Sequence, residues 1–131
     1  MSRRIITTAA APSGTAAGRF PYSQAVVAGG LVFVSGQGPF DPATGAVVGE
    51  TIQGQTREAF RNIQAILEAG GSSMAQVVNA TFVLADPADF AGMNEEWAAW
   101  FPDDPPARSG AKHPAPAPGL RISIAVVADA G

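Results

Sequence analysis

The chain has 131 residues, 47% hydrophobic and 15% charged, which suits one domain that can bury a core without disulfides or metal. A formal charge of −3 with dispersed bases argues against nucleic-acid binding, which draws much of its affinity from displaced counterions. The absence of cysteine removes thiolate, disulfide and cysteine–metal chemistry, no apolar run of ~20 residues suggests a membrane span, and the expected location is cytoplasmic.

Residues 4–8 (RIITT) predict a short edge strand, and the small, turn-rich APSGTAAG at 11–18 predicts a loop. In SQAVVAGGLVFVSG two β-branched runs flank Gly29-Gly30. Two glycines there predict a hairpin, because both central positions of its turn need positive φ. DPATG at 41–45 predicts a further turn, with Pro42 presetting φ. Over 51–69, Ile52, Ala59, Phe60, Ile63, Ile66 and Leu67 recur at three- and four-residue steps, the mark of an amphipathic helix. Gly70-Gly71 ends it.

QVVNATFVLAD at 76–86 has the near-continuous apolar character of a central strand. Asp86 and Pro87 then signal a second helix, with Phe90, Met93, Trp97, Trp100 and Phe101 on its apolar stripe and Pro102 as its stop. ARSGAKH and 120–128 (LRISIAVVA) read as the last two strands. The order β-β-β-α-β-α-β-β predicts an α+β fold, a six-stranded mixed sheet with two helices on one face, in a single domain over 1–131. Several strands carry apolar residues on both sides of their alternation. The sheet's second face therefore calls for another copy of the chain, and a closed homo-oligomer is expected.

Asn94 falls on the apolar stripe of the second helix, where an amide needs a partner, in a loop or in a pocket. Tyr22 is the only tyrosine and reads as a core ring with a wet hydroxyl or as a site residue. Arg108 follows Pro105-Pro106, which restrict the backbone before it. Its guanidinium is a fork for a carboxylate or phosphate of a ligand, or for one of the chain's eleven acidic residues. His113 is the single histidine, and it reads as structural or solvated. With no acidic cluster at ligand spacing no metal site is expected, and no G-x-S-x-G elbow or phosphate loop points to a triad or a nucleotide cofactor.

Taken together, PYSQAVVAGGLVFVSGQGPFDPATG, the helical stretch from TREAF to AAWF, and PPARSG closely resemble the Rid (reactive intermediate deaminase) family, also called YjgF, with the older label L-PSP endoribonuclease. The likeness runs over nearly the whole chain from about residue 20. It implies a chorismate-mutase-like fold and a homotrimer with clefts between subunits. There, enamine and imine products of amino-acid dehydratases would be hydrolysed to 2-keto acids and ammonia. By the same resemblance Arg108 grips the substrate carboxylate, Tyr22 lies in the cleft, Gly36 turns its backbone to the ligand, and Phe90 and Asn94 line the cleft.

The chain departs from that pattern where the family commonly has cysteine and this chain has Gly110. Ser123 stands where a glutamate commonly orients the attacking water, and Phe20 stands where a glycine is usual, with an added Arg19 nearby. A positioned carboxylate contributes on the order of 10²–10⁴ in such proton transfers, and serine is a poor base. Ser123 and Gly110 are both small, so a roomier cleft is expected. Three readings follow: an imine/enamine deaminase, a trimer that binds small carboxylates without turnover, and a divergent hydrolase of a specialised pathway. The ribonuclease reading fits least, given the acidic charge and lack of a basic aromatic strip.

Overall fold

The computed structural model describes residues 2–12, 20–114 and 117–131. Most of the expected loop at 11–18, the residue Arg19 and part of the Pro/Ala connection before residue 120 lie outside them.

Three strands come first: β1 (Arg4–Ile6), β2 (Ala25–Ala28) and β3 (Leu31–Gln37). Helix α1 (Ile52–Ala69), strand β4 (Val77–Leu84), helix α2 (Phe90–Trp100) and strands β5 (Ala107–Lys112) and β6 (Ile122–Asp129) follow. The spatial order is β1-β2-β3-β6-β4-β5, with only β4 and β5 parallel. The expected strand at 4–8 stops at Ile6, and each other strand and the first helix lie within two residues of expectation at their printed ends.

The hairpin forms as its glycines dictate. Ala28 faces Leu31 across Gly29 and Gly30, whose φ values are 60° and 78°. In the following turn Asp41 accepts hydrogen bonds from the Ala43 and Thr44 amides, and these hold its carboxyl below the usual carboxylate range. Thr51 caps α1 by accepting from the Gly54 amide at 3.0 Å, and Gly71, at φ 84°, takes the left-handed position after it.

Ala59, Phe60, Ile63, Ile66 and Leu67 of α1 are fully buried against the sheet. Two amides on the same helix are also buried, and each ties a loop to it. Asn62 donates to the carbonyls of Gly38 and Phe40, both at 3.0 Å. Gln55 donates to Gly119 and accepts from the Arg121 amide. Satisfied in this way, they avoid the cost of ~1–3 kcal/mol that an orphaned amide would carry.

The second helix begins later than expected. Asp86 caps a single 3₁₀ turn, Pro87–Asp89, and α2 starts at Phe90. Phe90 therefore sits at the helix's first turn and is 44% exposed, which corrects its expected place on the buried stripe. Met93 and Trp97 do face inward, and Phe60 meets Trp97 edge-on at 5.0 Å. Glu96 is buried as well, clamped by Arg57 at 2.8 Å and by the Trp100 indole at 3.0 Å, so an ion pair staples α2 to α1.

Both helices cover one face, reached on β6 by Ile122, Ile124, Val126 and Ala128, all buried. On the opposite face the intervening Ser123, Ala125 and Val127 are only half-buried, and Phe33 on β3 is 45% exposed. No helix among the described residues is long and apolar enough to cross a membrane.

Candidate active site

Arg108 lies on β5, the outermost strand on its side of the sheet. Its register partner on β4 is Ala80, a fully buried residue under the helices, so the arginine side chain belongs to the helix-covered side. Its Nη1 donates to Asn94 Oδ1 at 2.7 Å. The guanidinium carbon stands 4.9 Å from the ring centre of Trp97, 5.1 Å from Phe82 and 5.5 Å from Phe90. Three aromatic faces so close favour a cation by roughly 0.5–1 kcal/mol each when exposed.

Among the described residues no carboxylate pairs with Arg108. Its alternative reading as half of an internal ion pair is thus not met, whereas Arg57, Arg61 and Arg121 do hold Glu96, Glu58 and Asp89. One donor of the fork is spent on a neutral amide that aims it, and the others stay available to an anion. A hollow of about 360 Å³ opens beside it, lined by Asn94, Trp97, Phe101, Pro105, Pro106 and Arg108. Asn94 is half-buried rather than buried, and its partner is the arginine.

Gly110 lies two residues along the same side of β5, opposite Phe82. A Cβ at Gly110 would run into the Phe82 ring, which lies over the glycine and fills the space beside its backbone. The expectation of extra room at Gly110 is therefore corrected: the aromatic ring already occupies that room. Beyond the ring, a second hollow of about 310 Å³ is lined by Phe82, Leu84, Pro87, Phe90, Gly110 and Lys112 among others.

The remaining candidates lie elsewhere. Ser123 faces Val83 across β6 and β4, on the side of the sheet away from the helices. Gly36 is beside it, in the irregular register between Val34 and Gln37, and a Cβ there would meet Ser123 Oγ at 3.1 Å. Ser35 Oγ donates to the Ser23 carbonyl at 2.6 Å, which places the segment just after Tyr22 next to this irregularity. Tyr22 is 41% exposed and stacks on Phe20 at 6.4 Å.

The sequence-predicted residues thus form two groups within one chain. Arg108, Asn94, Phe90 and Gly110 converge on the helix side, while Gly36 and Ser123 meet on the open side with Tyr22 near their strand. The sequence alone did not single out Phe82. Phe82 was counted only as part of an apolar strand, and no local pattern links it to Gly110. His113, read from the sequence as structural or solvated, is exposed just beyond the end of β5 and borders the same hollow of about 340 Å³ as Ser123.

The model of the family described as Endoribonuclease L-PSP matches residues 11–130. The chain belongs to the Rid/YjgF family. A RutC family protein of Pyrococcus horikoshii is 50% identical to this Rid chain over 88 residues, 67% of this chain and 70% of its own length. A human protein named 2-iminobutanoate/2-iminopropanoate deaminase is 37% identical over 129 residues, 98% of this chain and 91% of the human one. Among solved structures, Escherichia coli TdcF with bound serine superposes with a TM-score of 0.85 at 32% identity, covering 96% of this chain and 98% of that one. The six-stranded mixed sheet with two helices is thus the fold of Rid/YjgF proteins.

Proposed function

We propose that this Rid chain hydrolyses small 2-imino or enamine acids to 2-keto acids and ammonia, in clefts shared by the subunits of a homotrimer. The observation that carries the reading is Arg108, held by Asn94 on an aromatic bed beside a hollow, with no carboxylate of the described residues pairing with it. Relatives named as deaminases of 2-iminobutanoate and 2-iminopropanoate support the substrate class.

In this reading the Arg108 fork binds the substrate carboxylate, and Asn94 keeps the guanidinium from swinging. Fixing the anion also fixes the neighbouring C=N carbon relative to a water, which removes part of the entropic cost of their encounter. Water oxygen adds to that carbon while nitrogen gains a proton. The resulting carbinolamine then loses ammonia and leaves the keto acid.

Arg108 and Ser123 lie on opposite sides of one sheet, so a single chain cannot present both to one substrate. A neighbouring copy packed on the open face would bring its own Gly36 and Ser123 toward the first chain's Arg108. Phe33, Val127 and Ala125 supply apolar surface for that contact. The Ser123 hydroxyl and backbone carbonyls near Gly36 would then orient the water.

The test is keto-acid appearance from an imine generated in situ by a dehydratase. Arg108→Ala should lower kcat/KM about 100-fold or more, as loss of a charge-assisted anion contact does. A wild-type rate equal to the protein-free control would overturn the deaminase reading. A second reading, binding of small carboxylates without turnover, is favoured by the lining of the Ser123 hollow, which includes no carboxylate among the described residues. Calorimetric binding that depends on Arg108, with no rate enhancement, would select it.

A further inference from the structure

Two cations stand on the same side of β5. Arg108, Gly110 and Lys112 alternate with residues that face the other way, in register with Ala80, Phe82 and Leu84 of β4. At about 3.3 Å per residue, the Arg108 and Lys112 backbones lie some 13 Å apart, within the inward reach of two long side chains. Between them is the glycine with the Phe82 ring laid on it, and in front is the hollow of about 310 Å³ bordered by Phe90, Pro87 and Leu84.

Lys112, like Arg108, has no acidic partner among the described residues, although the chain carries more acidic residues than basic ones. The arrangement is cation, apolar floor, cation. Its floor repels water from a methylene chain, and each end offers a positive charge. Any side chain at position 110 would interrupt that floor, because the ring and the new Cβ would compete for one place.

We propose that this strip is the side-chain subsite of the same cleft and selects substrates with a second, distal carboxylate: 2-imino or 2-keto dicarboxylic acids. The assignment rests on Arg108 binding the first carboxylate, as set out above. The chain of the acid lies across Phe82 and Phe90, and its far carboxylate reaches Lys112. A monocarboxylate of equal length fills the same hollow but leaves the lysine without an anion.

The measurement is calorimetric binding of 2-oxoadipate and of 2-oxohexanoate, which share a six-carbon chain and differ in the distal carboxylate, to the assembled full-length protein. Wild type should favour the diacid by about fivefold at low salt, the upper range for one partly exposed ion pair. The preference should shrink as salt rises. Lys112→Met should bring the ratio of the two affinities near one, and Lys112→Glu should reverse it. Lys112 is exposed, so neither change threatens folding. Equal wild-type affinities, or a preference that survives Lys112→Met, would overturn the subsite while leaving Arg108 in place, provided that Arg108→Ala still abolishes binding of 2-oxohexanoate. Failure of both acids to bind wild type would overturn the subsite and the Arg108 reading together.

Discussion

The two faces of the sheet are built from the same strands and have opposite characters. Along β6, Ile122, Ile124 and Val126 are sealed beneath the helices, while Ser123, Ala125 and Val127 between them are half-open. Phe60 on the covered side is fully buried, and Phe33 on the other is 45% exposed. The covered side is finished within one chain. It supplies the stability of the subunit and also fixes Arg108, because two of the rings beside the guanidinium, Phe82 and Trp97, belong to the same packed layer. The open side carries Ser123 and Gly36, and no helix among the described residues packs over it, so in the proposed reading its part in the chemistry waits on a second copy.

That contrast can be broken by paired substitution. Phe60→Ala should cost about 3–5 kcal/mol in denaturant unfolding, as expected for a large ring lost from a sealed core. Phe33→Asp should cost the subunit far less, yet shift sedimentation from trimer to monomer at micromolar protein. Equal destabilisation by the two changes, or a Phe33→Asp trimer, would erase the distinction between the faces. A smaller effect sharpens it on the covered side. Gly110→Ala should lose about 1–3 kcal/mol, because the Phe82 ring must move off the strand, and should also weaken ligand binding next to Arg108. A fully neutral Gly110→Ala would mean that the ring does not depend on the glycine.

Much of the covered side was legible in the sequence because its signals are local. The spacing of Phe60, Ile63 and Leu67 marks α1, and Gly29-Gly30 marks the hairpin through a backbone need that only nearby residues set. Arg108 and Asn94 each stood out from their surroundings. Their bond did not, since it depends on the parallel register that sets Arg108 beside Ala80 and under α2.

Gly110 misled for the same reason. A small residue reads as empty space until the cross-strand partner is known, and here that partner is an aromatic ring. Glu96 offered a faint hint, lying four residues before Trp100 on a largely apolar helix, but its burial follows from Arg57 on another helix. The division of the candidate residues between two faces could not be read locally either, because it depends on which strands become neighbours.

The central claim is that one cleft takes Arg108 from one copy and Ser123 from another, and mixing of inactive variants tests it most directly. Arg108→Ala trimers and Ser123→Trp trimers, each silent alone, are unfolded together in equal amounts and refolded, and deaminase turnover is then measured. Random assembly around a head-to-tail ring leaves about one quarter of the clefts with both native contributors, so about a quarter of wild-type activity should return. If every mixture stays as inactive as its parents, while each variant still forms trimers, the cleft is not shared in this way and the account is contradicted.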